Sequence, residues 1–191
     1  MRKTGKKRFF SVCCATVVLT LLVVVAQRFH AQGMAAPGPS PEMVRLQKFY
    51  LGTWEYTETY PKSPAAPQGG VNTGIYTSEL GPGGNSLMNR FHSKGPVGDF
   101  EGLLMITWDA KEKAYKSYIF GNDFPGALVQ NGNFEGDTLV FRGEMAMGEA
   151  KIALRNGAKM DEEGKMTIDE YMSMGGAPES LVVHVVAKRK P

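Results

Sequence analysis

Cysteine is almost absent from this sequence of 191 residues. The two that occur, Cys13 and Cys14, lie side by side in an uncharged apolar run near the N-terminus. The rest of the chain can therefore form no disulfide and holds no thiolate nucleophile or cysteine-ligated metal. A domain of about 150 residues can instead be stabilised by its own hydrophobic core.

The sequence motifs of common enzymes are also missing. The chain has no Gly-x-Ser-x-Gly elbow, no His-Glu-x-x-His pair and no phosphate-binding loop. Many of its aspartates fall in predicted turns, where the side chain bonds to its own backbone. We therefore predict no catalytic residue and no metal ligand. The alternative is an envelope enzyme of unrecognised mechanism, for example a serine paired with His184.

A run without any charged residue occupies positions 9–26. Five basic residues precede it and small residues follow it, which predicts a secretory signal peptide over residues 1–33, cut before Met34. The alternative is an uncleaved membrane anchor, because the run reaches the lower limit of the ~17–25 residues that span a bilayer. In both cases we predict an exported protein, either periplasmic or secreted, or tethered to the inner membrane by residues 9–26.

The net charge of +3 belongs to this leader. Six of the 22 lysines and arginines lie in residues 1–33, and the remaining chain has 16 basic and 19 acidic residues, a net charge of −3. We therefore predict no nucleic-acid partner, and membrane contact only through an uncleaved anchor. Residues 34–41 are mostly Ala, Gly, Pro and Ser, which predicts a flexible linker before a folded domain over residues 42–191.

Alternating residues identify the first strand of that domain. Trp54, Tyr56, Glu58 and Tyr60 fall on one face, with the period of two that is typical of a half-buried antiparallel strand. About nine further short strands follow, and the one helical pattern is a short turn near residues 43–50. These features favour an all-β fold, a single antiparallel up-and-down barrel of about ten strands. A two-sheet sandwich is the alternative.

Four short motifs add a resemblance to a known family. They are Gly52-Thr53-Trp54, the block at residues 100–109, Lys113 to Tyr115 with the Ser-Tyr that follows, and the hairpin at residues 132–139. As a set they resemble the bacterial family called domain of unknown function 1579, over roughly residues 41–190. The resemblance implies a calycin-like β-barrel, related to lipocalins, fatty-acid-binding proteins and nitrobindin-type haem barrels. That family has no established activity, so the resemblance implies no functional residue.

We predict a ligand site inside the barrel. Tyr56, Asn89, Arg90 and Tyr118 are of the kind that fix a ligand's polar group in an apolar pocket. Arg90 suits a carboxylate ligand, although an outward-facing arginine is the alternative. Trp54, whose indole is expected to plug one end of the barrel, belongs to the same predicted set.

His184 in the last strand is the candidate ligand for a cofactor. The resemblance to nitrobindin-type barrels implies haem iron held by one histidine inside the barrel. Both faces of this strand are apolar, so the sequence does not decide whether His184 points inward. The alternative is a histidine that is hydrogen-bonded within or on the wall. Apart from haem, no cofactor is expected.

Methionine is frequent, with ten residues after the leader. Met145 and Met147, like Met172 and Met174, have the spacing that places two side chains on one face of a strand. Two adjacent thioethers could bind copper(I), whereas a deformable apolar wall is the simpler interpretation.

These observations predict that the barrel binds a small apolar or amphipathic molecule without catalysis. The alternatives are a haem barrel with His184 as ligand, an envelope enzyme, and a structural barrel with a filled core. An internal cavity favours binding, whereas a solid core favours the structural role.

Overall fold

The computed structural model describes residues 38–63, 66–148 and 150–191. The predicted leader of residues 1–33, with its candidate anchor at 9–26, and residues 34–37 of the predicted linker lie outside this part of the chain. Within the described ranges, no helix combines the length and the apolarity needed to cross a lipid bilayer.

Helix α1 (Pro41–Tyr50) opens the folded unit. Ser40 caps its N-terminus, since its Oγ accepts a hydrogen bond from the Met43 backbone N–H at 3.2 Å. Pro41 stands at the first helical position, where the missing N–H costs nothing. The buried face of the helix consists of Met43, Leu46 and Tyr50.

Ten antiparallel strands follow and close into a barrel, with every strand paired to its neighbours in sequence and β1 paired to β10. The predicted up-and-down barrel is therefore confirmed, and the sandwich alternative is wrong. The strands are β1 (Gly52–Tyr60), β2 (Gly70–Leu80), β3 (Ser86–Lys94), β4 (Phe100–Asp109), β5 (Ala114–Gly121), β6 (Leu128–Glu135), β7 (Thr138–Met147), β8 (Ala150–Met160), β9 (Lys165–Met174) and β10 (Ser180–Arg189).

Side chains alternate between the interior and the outer face along each strand, as the pleat requires. In β1 the interior set is the one that the sequence predicts, with Trp54 and Tyr56 buried and Glu58 next along the same face. In β3 the interior positions include Leu87 and Asn89, both buried. The cross-strand register keeps these inward positions opposite one another around the whole barrel.

Helix α1 closes one end of the barrel. Trp54 is completely buried there, and its Nε1 donates a hydrogen bond to the Tyr50 backbone oxygen at 2.8 Å. From the opposite wall, Tyr115 Oη donates to the Glu42 backbone oxygen, also at 2.8 Å. The indole therefore plugs this end as predicted. The core that fills the same end includes Leu87, Ile106, Leu139, Met166 and Ala187.

Three inward-facing aromatic rings lie over glycines of a neighbouring strand. The cross-strand pairs are Tyr56 with Gly74, Phe91 with Gly102, and Phe141 with Gly132. A Cβ atom at any of these glycines would come within 2.5 Å of the paired ring. The absence of that atom lets each ring lie flat along the wall, which keeps the middle of the barrel open.

Candidate functional site

A cavity of about 180 Å³ lies inside the barrel. Tyr50, the last residue of α1, lines it together with inward-facing residues of the strands. Its apolar wall is made of Phe91, Leu104, Ile119, Leu139, Phe141, Ala158, Ile168 and Val185. All three rings that lie over glycines, those of Tyr56, Phe91 and Phe141, line the cavity.

Buried polar side chains interrupt the apolar wall. Gln130 is 1% exposed, and its Oε1 accepts hydrogen bonds from Ser117 Oγ at 3.4 Å and from Asn156 Nδ2 at 3.5 Å. Its Nε2, together with Asn89 Oδ1, Tyr56 Oη and Tyr76 Oη, has no hydrogen-bond partner among the described residues. Buried polar atoms are paired in most folded proteins, so four unpaired ones around one cavity make it the candidate site.

Two carboxylates line the same cavity. Glu58 Oε2 accepts hydrogen bonds from Ser93 Oγ at 2.7 Å and from Tyr60 Oη at 3.0 Å. Glu170 of β9 has no hydrogen bond or ion pair with any described residue. Burial, followed by the nearby charges of Glu58 and Asp123, raises the pKa of Glu170 to about 7. This carboxyl group can therefore gain or lose a proton near neutral pH.

The tyrosines of the cavity are neutral hydrogen-bonding groups. Burial raises the pKa of Tyr50, Tyr56 and Tyr76 well above the usual value for a phenol. Their hydroxyl groups therefore keep their protons at physiological pH and can donate hydrogen bonds to a bound molecule.

The structure brings two of the six predicted ligand-binding residues to the cavity, namely Tyr56 and Asn89. Trp54 instead packs in the core, where its ring stacks on Tyr76 with 5.6 Å between ring centroids. Arg90 is exposed on the outer face, because its neighbours Asn89 and Phe91 take the inward positions of β3.

Tyr118 and His184 also lie on the outer face of the wall. Tyr118 stands opposite Met105 and Val129, between the inward positions of β5. His184 lies next to the inward-facing Val185, and its Nδ1 is 2.6 Å from Asp169 Oδ1. The hydrogen-bonded position on the wall is thus where His184 lies, and no histidine of the described chain lines the cavity.

Most of the polar lining of the cavity lies outside the predicted set of site residues. Glu58 shares the predicted strand face of Trp54 and Tyr56, but it is not among the predicted site residues. Glu170 lies on the same face of β9 as the apolar Met166 and Ile168, and this alternation could have identified it as an inward-facing residue. The others are Tyr50, Tyr76, Ser117, Gln130 and Asn156.

Both methionine pairs lie in strands. Strand β7 contains Met145 and Met147, and β9 runs to Met174, which is 51% exposed. The copper hypothesis for these pairs stays a prediction. Among the described residues, no group of three or more His, Cys, Asp or Glu side chains is arranged to hold a metal ion.

A closed antiparallel up-and-down barrel, with one helix across its end and a cavity inside, defines a calycin-like β-barrel protein. The chain belongs to the family described as Protein of unknown function (DUF1579), whose model matches residues 38–189. The family resemblance found in the sequence motifs is therefore confirmed.

Two solved structures share this architecture. Rv2717c from M. tuberculosis superposes with a TM-score of 0.58 at 12% identity, covering 80% of this chain and 99% of the other. The S-type phycobiliprotein lyase CPES from Guillardia theta gives a TM-score of 0.52 at 10% identity, covering 78% and 92%. Similarities at this identity establish a common fold and no more. A search of curated proteins finds no match.

Proposed function

We propose that this protein binds a small amphipathic molecule inside its barrel without changing it chemically. The observation that carries the proposal is the composition of the cavity wall. Apolar side chains such as Leu104 and Ile168 share it with polar atoms of Asn89, Gln130 and Tyr76 that lack partners. A ligand with one apolar and one polar part complements both, because it buries apolar area and pairs the orphaned groups.

The size of the cavity restricts the ligand. Its volume of about 180 Å³ lies below the ~300–1,000 Å³ of pockets that hold drug-sized molecules. It is close to the ~150 Å³ of an engineered protein cavity that binds benzene. A single aromatic ring or a short branched chain therefore fits within the wall, whereas a long acyl chain does not.

We further propose that the protein acts outside the cytoplasm. The basic residues ahead of the apolar run at 9–26 and the small residues before Met34 support this proposal. Fractionation of the producing bacterium, with intact-mass measurement of the recovered protein, tests it. A periplasmic species beginning at Met34 supports cleavage, a full-length species in the membrane fraction supports the anchor, and a full-length cytoplasmic species contradicts export.

Native mass spectrometry with an absorption spectrum tests the binding proposal on protein expressed from the full-length sequence in an export host. We expect a co-purifying mass of a few hundred daltons or less, since that is what the cavity admits. A Soret band would instead favour the haem alternative, and its loss in His184→Ala would identify His184 as the residue that holds the haem iron. Protein that stays unliganded after incubation with a library of small aromatic and branched aliphatic compounds would contradict the proposal.

A matched pair of variants on β8 locates the binding. Ala158 lines the cavity and is 3% exposed, whereas Ala153 is exposed on the outer face of the same strand. Ala158→Leu fills part of the cavity and should lower the affinity for the ligand by about tenfold or more, because the added atoms occupy its volume. Ala153→Leu should leave the affinity unchanged, and equal losses in both variants would place the ligand elsewhere.

The Glu58–Glu170 pair favours a second candidate function, an acid–base enzyme. A carboxyl group with a pKa near 7 in a cavity is suited to transfer protons at neutral pH. Incubating the recovered ligand with the protein in heavy water tests this candidate. Deuterium incorporation or turnover that is lost in Glu170→Gln would favour the enzyme, and an unchanged ligand would favour the binding protein.

A further inference from the structure

The charges around the cavity are of one sign. Glu58 and Glu170 both line it, and no lysine, arginine or histidine of the described chain does so. The groups that act electrostatically on Glu170 are the acids Glu58 and Asp123.

The cross-strand neighbours of Glu170, Asn156 of β8 and Val183 of β10, carry no charge. The negative charge of Glu170 also acts on the hydroxyl groups of three tyrosines, which are neutral: Tyr50, Tyr56 and Tyr60.

A second and independent feature of the cavity is its unpaired acceptor atoms. Asn89 is 4% exposed and Tyr76 is 7% exposed, and both side chains reach the cavity. Asn89 Oδ1 can only accept a hydrogen bond, and neither it nor Tyr76 Oη has a partner in the described chain. The cavity therefore offers hydrogen-bond acceptors beyond the two carboxylates, next to the unpaired donor Gln130 Nε2, and a ligand group that donates pairs these acceptors.

We propose that the ligand's polar group is a protonated amine, held between Glu58 and Glu170, on a small apolar body. This inference rests on the proposed binding function and names the ligand class. An ammonium group brings three donors and a positive charge, which complements two carboxylates that form no ion pair with any described residue. When both carboxyl groups are ionised, a carboxylate or phosphate ligand would add a third negative charge to the same space, which disfavours an anionic ligand.

Three isosteric probes separate charge from shape. Phenethylamine, phenethyl alcohol and phenylacetate each carry one aromatic ring, the apolar part that the cavity admits, with a cationic, neutral or anionic end. In titration calorimetry near pH 8 we expect the amine to bind about tenfold or more tightly than the alcohol, the effect typical of a hydrogen bond to a charged group. Phenylacetate should show no measurable binding.

Two variants and a control assign the preference to the carboxylates. Glu58→Gln and Glu170→Gln should each reduce the preference for amine over alcohol by about tenfold. Glu79→Gln, on the exposed face of β2, should retain the preference. The amine affinity should also rise between about pH 6 and pH 8 in the wild-type protein, as the Glu170 carboxyl ionises, and stay flat in Glu170→Gln.

The outcomes distinguish this inference from the function on which it rests. Equal affinities for amine and alcohol, or tighter binding of phenylacetate, would overturn the amine assignment and leave the binding cavity standing. An amine preference that survives in both glutamine variants would also overturn it. Failure of all three probes, together with an unliganded protein in the mass-spectrometric experiment, would overturn the binding function as well.

Discussion

Glu170 occupies a position that a barrel wall usually gives to an apolar side chain. It faces the cavity between Asn156 and Val183 and has no hydrogen bond with any described residue. Burial and the nearby carboxylates raise its pKa from the usual 4.5 to about 7. The protein therefore bears a cost for ionised Glu170 at neutral pH, which is typical of a residue kept for function rather than for stability.

Because ionised Glu170 is unfavourable in the folded protein, we predict that the wild-type protein and Glu170→Gln differ in stability by an amount that depends on pH. Because its pKa is higher in the folded than in the unfolded chain, the folded state binds more protons between about pH 4.5 and pH 7. The contribution of Glu170 to the free energy of unfolding is therefore fully present below pH 4.5 and is lost as the pH rises through 7. Glu170→Gln should therefore match the wild-type Tm near pH 4.5 and exceed it by a few degrees at pH 8. The exposed Glu79→Gln should show no such divergence, and a Tm gain that is constant with pH would contradict the assignment.

The inward residues could be predicted only where one face of a strand is clearly apolar. In β1 the aromatic alternation places Tyr56 inside, and in β3 the large apolar Leu87 and Phe91 place Asn89 inside. Arg90 was selected for its chemistry, but the same alternation turns it to the outer face. The chemistry of a side chain suggests a ligand-binding residue, whereas its position in the alternation of the strand decides whether it points into the cavity.

At the scale of elements, β10 shows why parity can fail. Residues 181–186 are apolar on both faces of the strand except for His184, so the sequence pattern does not show which face points into the barrel. In addition, the pairing of β10 with β9 shifts between Leu181 and Val183, an irregularity that changes the register. The inward face is fixed by Val185 and Ala187, which pack in the core with residues of other strands. That information is tertiary and was not available from the sequence.

The glycine–aromatic pairs predict the consequences of adding one methyl group. At Gly102 a Cβ atom would lie 2.2 Å from Phe91 Cζ and 2.5 Å from the Phe120 backbone oxygen. Gly102→Ala should force the Phe91 ring into the cavity, lower the free energy of unfolding by about 1–3 kcal/mol and weaken ligand binding. Chemical denaturation and titration calorimetry measure both effects.

Gly157 of β8 provides the control for this change. A Cβ atom there would meet only Thr138 Cγ2, at an ordinary contact distance of 3.5 Å. Gly157→Ala should therefore stay within about 0.5 kcal/mol of the wild-type protein and keep its affinity. If Gly102→Ala behaved the same way, the open cavity would not depend on the pairing of rings with glycines.

At the scale of the whole molecule, closure of the sheet is the feature that organises the others. The first and last strands pair along Trp54–Thr59 and His184–Arg189, so the barrel has no free edge. The sequence predicted the strands and their up-and-down order from turns and alternation. The cavity was not predictable in volume, because it depends on how side chains from several strands share the interior.

Closure predicts that the terminal strands are as stable as the middle ones. In an open sheet the two outermost strands would lose their amide protection first, since each has a free edge. Here the amides of β1 and β10 should exchange with deuterium as slowly as those of β5 and β6, because all four strands have partners on both sides. The connection at residues 122–127, outside the strands, should exchange within the shortest measured time and serves as the internal reference. Exchange in β1 and β10 that is much faster than in β5 and β6 would show that the seam opens in solution. The cavity would then be accessible through the wall, and the selectivity expected from a closed barrel would be lost.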